Sequence, residues 1–262
     1  MTTLRTLHPV HPRRAAQSAF TMVEIALSLA VIGFALVAIL RVLPIGLNTQ
    51  RDNREETAVN HDAALWMDAL RAGPRGISLD EELTNYVGVV TKTVVDFNVD
   101  PNNGNLTVRT VHPDLAYSNL FWPQIIGLLS TPRYERPDAT TLVSNYVSAD
   151  VRAMTGPAVT RVPQNNEVIN DAAFTYRLFA TVDDPPLAPA PGGDPAAAQA
   201  RQQLDDHLRD VRLSFRWPVL PNGETGRGRR TYRASFGGVL KSVPSPDVNK
   251  EPDLWFFQPH TY

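Results

Sequence analysis

The chain has 262 residues, of which 43% are hydrophobic and 20% are charged, and it contains no cysteine. The absence of cysteine excludes a disulfide scaffold, a thiolate zinc site, an iron–sulfur cluster and a cysteine nucleophile. The net charge of −2 gives no overall attraction to nucleic acid, so no nucleic-acid partner is expected. A slightly negative mean hydropathy excludes a polytopic membrane protein.

The first forty residues divide into a basic leader and an apolar run. Residues 1–19 contain three arginines and no acidic residue, and residues 20–40 contain one charged residue, Glu24. At about 1.5 Å per residue, a helix over the apolar run covers about 30 Å, the thickness of a bilayer's hydrocarbon core. Because the positive flank precedes the run, the positive-inside rule predicts a single span with a cytoplasmic N-terminus.

A cleavable secretory signal is the alternative to a retained span. Its apolar region would be shorter, and a small-x-small cleavage site would follow it. The run instead continues into Arg41-Val42-Leu43-Pro44, which offers no such site. We therefore expect the span to remain on the mature chain.

Glu24 is the unusual residue of this run. A carboxylate near the centre of a membrane helix costs about 2.5–3.5 kcal/mol, so Glu24 either lies at the headgroup level or has a partner. The sequence Ala19-Phe20-Thr21-Met22-Val23-Glu24, followed by an unbroken apolar run, resembles the prepilin N-terminus of type IV pilins and type II secretion pseudopilins.

The resemblance implies a processing site and an assembly contact. It implies that a prepilin peptidase cleaves after Ala19, that Phe20 is then N-methylated, and that Glu24 pairs with the new amine of a neighbouring subunit. The family normally has glycine where this chain has Ala19. A pair of this kind compensates both charges, which is the condition for an ion pair to form in a low dielectric.

The same resemblance implies a location, a set of partners and a fold. The partners would be other pilin-like subunits, the prepilin peptidase and the inner membrane, with the head in the periplasm and, after assembly, in an extracytoplasmic filament. The fold would be α+β, with a long N-terminal helix packed on an antiparallel β-sheet head. The segments FRWPVLPNG (215–223) and GRGRRTYR (226–233) are also similar to the Verru_Chthon cassette protein B group of prepilin-like proteins.

Residues 20–72 are predicted to form one stem helix that is first apolar and then amphipathic. Gly33 and Pro44 are the points at which we expect this helix to kink or to melt locally. Beyond residue 48, apolar side chains recur at near-helical spacing, and Ala72-Gly73-Pro74 is expected to end the helix. The apolar positions are Ala58, Leu65, Trp66, Ala69 and Leu70.

Residues 73–262 are predicted to form a β-rich head. Runs of β-branched residues on either side of Pro101-Asn102-Asn103-Gly104 predict a hairpin. The Pro/Ala/Gly-rich stretch 183–200 is predicted to be a surface loop. The aromatic tail 254–257 is expected to be either a last core segment or a subunit contact. Further predicted elements are a buried helix over 122–130 and strands over 89–95, 106–111, 174–182, 211–217 and 232–236. The strands over 174–182 and 211–217 alternate, with one face formed by Tyr176, Leu178, Ala180 and Val182 in the first and by Val211, Leu213, Phe215 and Trp217 in the second.

The search for catalytic or metal-binding chemistry finds no specific motif. There is no P-loop, no HExxH, no GxSxG and no GxGxxG after a strand. Asp205-Asp206-His207 favours a solvated helix face over a metal site, because adjacent residues on a helix do not converge on one ion. Loop oxygens at 101–104 and 183–184 leave Ca²⁺ as a minor alternative. The arginines of 227–233 favour a solvated turn over phosphate contacts.

We therefore expect a filament subunit with no cofactor, no metal and no enzymatic activity. Two other classes remain open from the sequence. One is a single-span, membrane-anchored periplasmic binding module that does not polymerise, in which Glu24 would be fortuitous. The other is a periplasmic enzyme on a membrane stalk.

Overall fold

The computed structural model describes residues 21–73, 84–154, 174–186, 195–244 and 253–258. The chain forms two compact units that divide between Arg51 and Asp52. Helix α1 (Met22–Ala72) contributes residues to both units, whereas the described strands all belong to the second.

Helix α1 ends where the sequence predicts. Gly73 has a φ of +61°, the left-handed conformation that favours glycine directly after a helix. A Cβ at this position would lie 2.9 Å from the backbone oxygen of Phe257, so the position also requires a residue without a side chain. The helix continues through both Gly33 and Pro44, and a kink at either residue stays a prediction.

Eight strands of the described residues form one antiparallel sheet. The strand order is β2-β1-β5-β6-β7-β8, with β3 beside β1 and β4 beside β5. The predicted hairpin is confirmed, because β1 and β2 pair on either side of the 101–104 turn. The strands are β1 (Val87–Val99), β2 (Leu106–Val111), β3 (Leu115–Ser118), β4 (Tyr134–Glu135), β5 (Thr141–Arg152), β6 (Thr175–Asp183), β7 (Leu208–Val219) and β8 (Thr225–Gly237).

Two short helices and a second, two-stranded sheet complete the described fold. Helix α2 (Trp122–Leu129) is the predicted buried helix and packs against β10 (Leu254–Gln258), which pairs with β9 (Val239–Val243). Helix α3 (Pro195–His207) has no buried residue. Because Phe256 and Phe257 are buried, the aromatic tail is a core segment.

The core lies on one face of the large sheet and includes the second half of α1. Strands β6 and β7 alternate as predicted, with every second side chain buried against this core. The buried apolar residues of these strands are Tyr176, Leu178, Ala180, Val182, Val211, Leu213, Phe215 and Trp217, and the buried residues of α1 are Glu55, Ala58, Val59, Asp62, Ala63, Trp66, Ala69 and Leu70.

Two sequence predictions need correction, and one long strand was not predicted. Leu65 is 36% exposed, because the buried stripe of α1 follows a period that includes Asp62 and Trp66 and turns Leu65 away. Residues 195–200 of the predicted loop form the start of α3, since proline is favoured in the first turn of a helix and alanine is the strongest helix former. Strand β5 was not predicted, because buried Ser144 and Asn145 interrupt its apolar alternation.

Candidate functional site: the apolar helix segment and the helix anchor

The first part of α1 is long and apolar enough to cross a membrane. Residues Met22–Leu43 form this 22-residue segment, and none of its most apolar window is buried. The side chains of Met22 and Phe34, for example, are 87% and 84% exposed. An exposed apolar surface on this scale marks contact with a membrane or with a partner.

Glu24 lies in the first turn of this segment. Thr21 precedes the helix, and its Oγ1 accepts a hydrogen bond from the backbone N–H of Glu24 at 3.3 Å. Ser28 lies one turn further along the same helix face and donates its hydroxyl proton to the backbone oxygen of Glu24 at 2.8 Å. The carboxylate of Glu24 makes no hydrogen bond or ion pair with any residue that the structure describes.

The charged residues of the segment sit close to its two ends. Glu24 is the third residue of Met22–Leu43, and Arg41 is the third from the end. An acid in the first turn of α1 suits the helix dipole, whereas Arg41 lies in the interior of the helix, which continues to Ala72. Gly33 lies between them, and a methyl group added there would meet nothing within 4 Å.

The remaining predicted site residues are placed only in part. Ala19 and Phe20, the expected cleavage and methylation positions, lie outside the described residues. Pro44 lies inside the backbone of α1. The structure thus describes Glu24, Gly33 and Pro44 on one helix, at positions separated by several turns.

A buried polar network joins the second part of α1 to the sheet. The indole Nε1 of Trp66 donates a hydrogen bond to the Tyr176 hydroxyl at 3.0 Å, and the Asp62 carboxylate accepts one from the backbone N–H of Met154 at 2.9 Å. Tyr176 also hydrogen-bonds Asp62, and its pKa is raised well above the ordinary value by burial and then by the nearby Asp62 charge. All three side chains are at least 99% buried.

Other contacts of α1 with the head lie around this network. The ring of Trp66 packs against that of Trp122 in α2, with 5.9 Å between ring centroids. Arg230 of β8 pairs with Glu56, and Tyr232 of the same strand hydrogen-bonds Asn60. The helical spacing of apolar residues predicted that Trp66 contacts the head. It gave no indication of Asp62, because a carboxylate on a helix ordinarily lies on the solvated face.

Lys92 is another buried charge that sequence patterns did not indicate. It lies on β1 with only 7% of its surface exposed. Burial lowers its pKa, and the negative charges of Glu135 and Asp253 oppose that shift only in part. Glu135 is itself held in place, since its Oε1 accepts a hydrogen bond from the Asn145 side chain at 2.6 Å.

The carboxylates considered as metal ligands form ion pairs with arginines or accept hydrogen bonds within turns. Asp183 lies 3.8 Å from Arg133, Asp184 lies 3.7 Å from Arg209, and Asp205 lies 3.4 Å from Arg201. At the 101–104 turn, the side chain of Asp100 accepts a hydrogen bond from the backbone N–H of Asn102. Within the described ranges, no three His, Asp or Glu side chains come together in a group that could hold a metal ion.

The arginines of 227–233 are divided between the two faces of β8. Arg230 pairs with α1 on the core side, as described above, whereas Arg233 pairs with Asp210 at 2.7 Å on the other side. Arg229 lies directly opposite Arg216 of β7, whose guanidinium stacks over the ring of Phe179. The cluster is therefore distributed over a strand and does not form a turn.

The chain matches no protein-family profile, no curated protein and no solved structure.

Proposed function

We propose that this chain is a prepilin-like subunit that is processed by a prepilin peptidase and assembles into a type IV pilus-like or type II secretion pseudopilus filament. Helix α1 is the observation that carries the proposal. Its 51 residues begin with an exposed apolar segment of membrane length and end in a stripe that packs into the core of an antiparallel head. A filament subunit requires both functions from its N-terminal helix.

The apolar segment supports membrane insertion before assembly. Exposed apolar surface costs about 25 cal/mol per Å² in water, and the described residues provide no cover for the segment. A bilayer removes that cost, and the basic leader orients the span with its N-terminus in the cytoplasm and the head in the periplasm. In a filament, the same segments of neighbouring subunits would cover one another.

The environment of Glu24 supports an assembly contact. Its carboxylate has no partner among the described residues and lies near the first residue of the helix. Cleavage after Ala19 would create a new amine at Phe20. Because apolar helices gain little from hydrophobic contact inside lipid, a charge pair between subunits would guide their association.

A membrane-anchored binding module that does not polymerise is the second candidate. The observation that favours it is the first turn of α1, where Thr21 caps the helix and Glu24 occupies the third helical position. An acid at this position stabilises a helix through its dipole without any partner subunit. The two candidates therefore differ in what the Glu24 charge does.

Substitution of Glu24 distinguishes the filament subunit from the binding module. We expect Glu24→Ala and Glu24→Gln to insert and fold normally but to lose crosslinking with co-expressed pilin-like subunits. The glutamine variant keeps the size of the side chain, so its failure would assign the effect to the charge. Ser28→Ala removes another polar group from the same helix face and is the matched control, for which we expect unchanged crosslinking. Equal yields from all variants would reject the assembly role and favour the binding module.

A further inference from the structure

Strand β2 is an edge of the large sheet that the described fold leaves uncovered. It pairs with β1 on one side, and all six of its residues are exposed. Leu106, Val108 and Val111 are 53%, 61% and 64% exposed. Natural edge strands are ordinarily protected by charge, proline or a covering element, because their free backbone groups bind other strands.

The opposite edge of the sheet differs in its charge. Strand β8 pairs with β7 alone among the described strands. It carries four arginines, at positions 227, 229, 230 and 233, whereas β2 carries only Arg109. Like charges would oppose the pairing of β2 with the β8 edge of another molecule. The arginine-rich edge is therefore protected, whereas the β2 edge, with a single arginine, is open to strand addition.

The register of β2 places its apolar side chains on one face. Val111 pairs with Val95, Val108 with Phe97 and Leu106 with Val99, and directly opposed residues share a face. The register shifts between Asp96 and Phe97, which leaves Arg109 without a paired residue on β1. This irregularity is a β-bulge, and it limits the regular part of the edge to the residues before Arg109.

Backbone hydrogen bonds identify which residues of β2 present free groups. The backbone oxygen of Asn105 accepts from Asp100 at 2.9 Å, so Asn105 faces β1. In an antiparallel strand, the backbone N–H and C=O groups of alternate residues point to the same side. Those of Thr107 therefore also point to β1, whereas those of Leu106 and Val108 point away from the sheet. A second strand can therefore bond to Leu106 and Val108.

We infer that the β2 edge pairs with the β2 edge of a second copy of this chain, in an antiparallel contact centred on Thr107. In this register, Leu106 lies opposite Val108 of the second copy, and each outward-facing residue meets another outward-facing residue. Thr107 lies opposite Thr107, and Asn105 lies opposite Arg109, so no like charges meet. If the contact were centred on Arg109, the Arg109 residues of the two copies would lie directly opposite each other. If it were centred on Val108, Leu106 of one copy would lie opposite Thr110 of the other.

The register centred on Val108 fails because of the bulge. The backbone N–H of His112 donates to Val94 of β1 at 3.0 Å, so Thr110, two residues earlier, also faces β1. The backbone N–H and C=O groups of Thr110 therefore cannot form hydrogen bonds with Leu106 of the second copy. The contact centred on Thr107 is short, and standard stable interfaces bury at least about 1,200 Å². It is therefore expected where chains are concentrated, as in a membrane.

Single cysteines test this contact in the full-length chain, which has no native thiol. The two Thr107 positions would form a non-hydrogen-bonded pair with Cα atoms about 4.5 Å apart, which lies within disulfide range. Thr110 is the matched control, because its two copies would lie about 20 Å apart along the strands. Each variant is placed in vesicles, oxidised and analysed for dimer on a non-reducing gel.

We expect several-fold more dimer from Thr107→Cys than from Thr110→Cys. Adding Val108→Lys to Thr107→Cys places a charge in the contact and should abolish the excess, whereas adding Ser235→Lys on the β8 edge should not. Equal yields from the two cysteine variants, or a yield insensitive to Val108→Lys, would overturn the inference. Because the edge lies wholly in the second unit, Glu24→Ala should leave the Thr107→Cys dimer unchanged, so failure of this contact and failure of the filament proposal are distinguishable.

Discussion

Trp66 of the stem helix and Tyr176 of strand β6 meet in a buried hydrogen bond of 3.0 Å, and this bond fixes the helix against the sheet. The Tyr176 hydroxyl also binds the Asp62 carboxylate, which in turn accepts the backbone N–H of Met154. One hydroxyl thus serves two residues of the helix, while Asp62 fixes the chain just after β5. Because all these groups are buried, each loses its hydration and depends on the others.

Removing the Tyr176 hydroxyl tests this anchor. Tyr176→Phe leaves the indole N–H of Trp66 buried without its acceptor, and an unsatisfied buried group costs about 1–3 kcal/mol. We expect the free energy of unfolding in urea to fall by that amount. Tyr134→Phe is the control, because Tyr134 is 46% exposed, and its effect should stay within about 0.5 kcal/mol. Equal effects of the two substitutions would show that the network does not stabilise the head.

The anchor could be predicted from the sequence only in part. Alternation along 174–182 predicted that Tyr176 faces the core, and helical spacing predicted the same of Trp66. The burial of each partner was therefore predictable, but the hydrogen bond between them was not. Nothing in the sequence joined them across 110 positions, and Asp62 was missed because its charge broke the apolar stripe. Strand β5 was missed for a similar reason at Ser144 and Asn145. The free β2 edge required the strand order, which local patterns do not encode.

Lys92 predicts a pH dependence of stability. Burial lowers its pKa in the folded state below the ordinary value of 10.5, so the unfolded chain binds more protons in the interval between the two values. The free energy of unfolding should therefore rise as pH rises through that interval, and the buried charge should destabilise the fold below it.

Lys92→Met should remove this rise and stabilise the head at neutral pH. Lys241→Met, at an exposed lysine of β9, is the control for loss of a positive charge. Urea unfolding of both variants and of the unsubstituted chain, measured at pH values below the titration of tyrosine, checks the slopes. If Lys92→Met and Lys241→Met gave the same slope, the proton-linked role of Lys92 would be wrong.

Gly73 predicts a backbone effect at the end of the stem helix. Its φ of +61° disfavours any residue with a side chain, and an added Cβ would also meet the Phe257 backbone oxygen. Gly104 has a similar φ of +71° but nothing within 4 Å of its Cβ position, so it shares the conformational strain without the contact. We expect Gly73→Ala to lower the unfolding free energy by more than the about 1–2 kcal/mol that the left-handed conformation alone costs.

Gly104→Ala should show the conformational cost alone. The difference between the two variants, measured by urea unfolding, isolates the contact between the helix end and strand β10. A Gly73→Ala effect no larger than that of Gly104→Ala would mean that the C-terminal strand moves freely to make room.

The mature N-terminus tests the central proposal most directly. The full-length gene is expressed in a host that has a prepilin peptidase and in the same host lacking it, and the intact mass of the membrane-extracted chain is measured. We predict a chain of 243 residues that begins with N-methylated Phe20 in the first host, and an uncleaved chain in the second. A mature chain that begins after residue 40, or an N-terminus that is the same in both hosts, would contradict the assignment as a prepilin-like subunit.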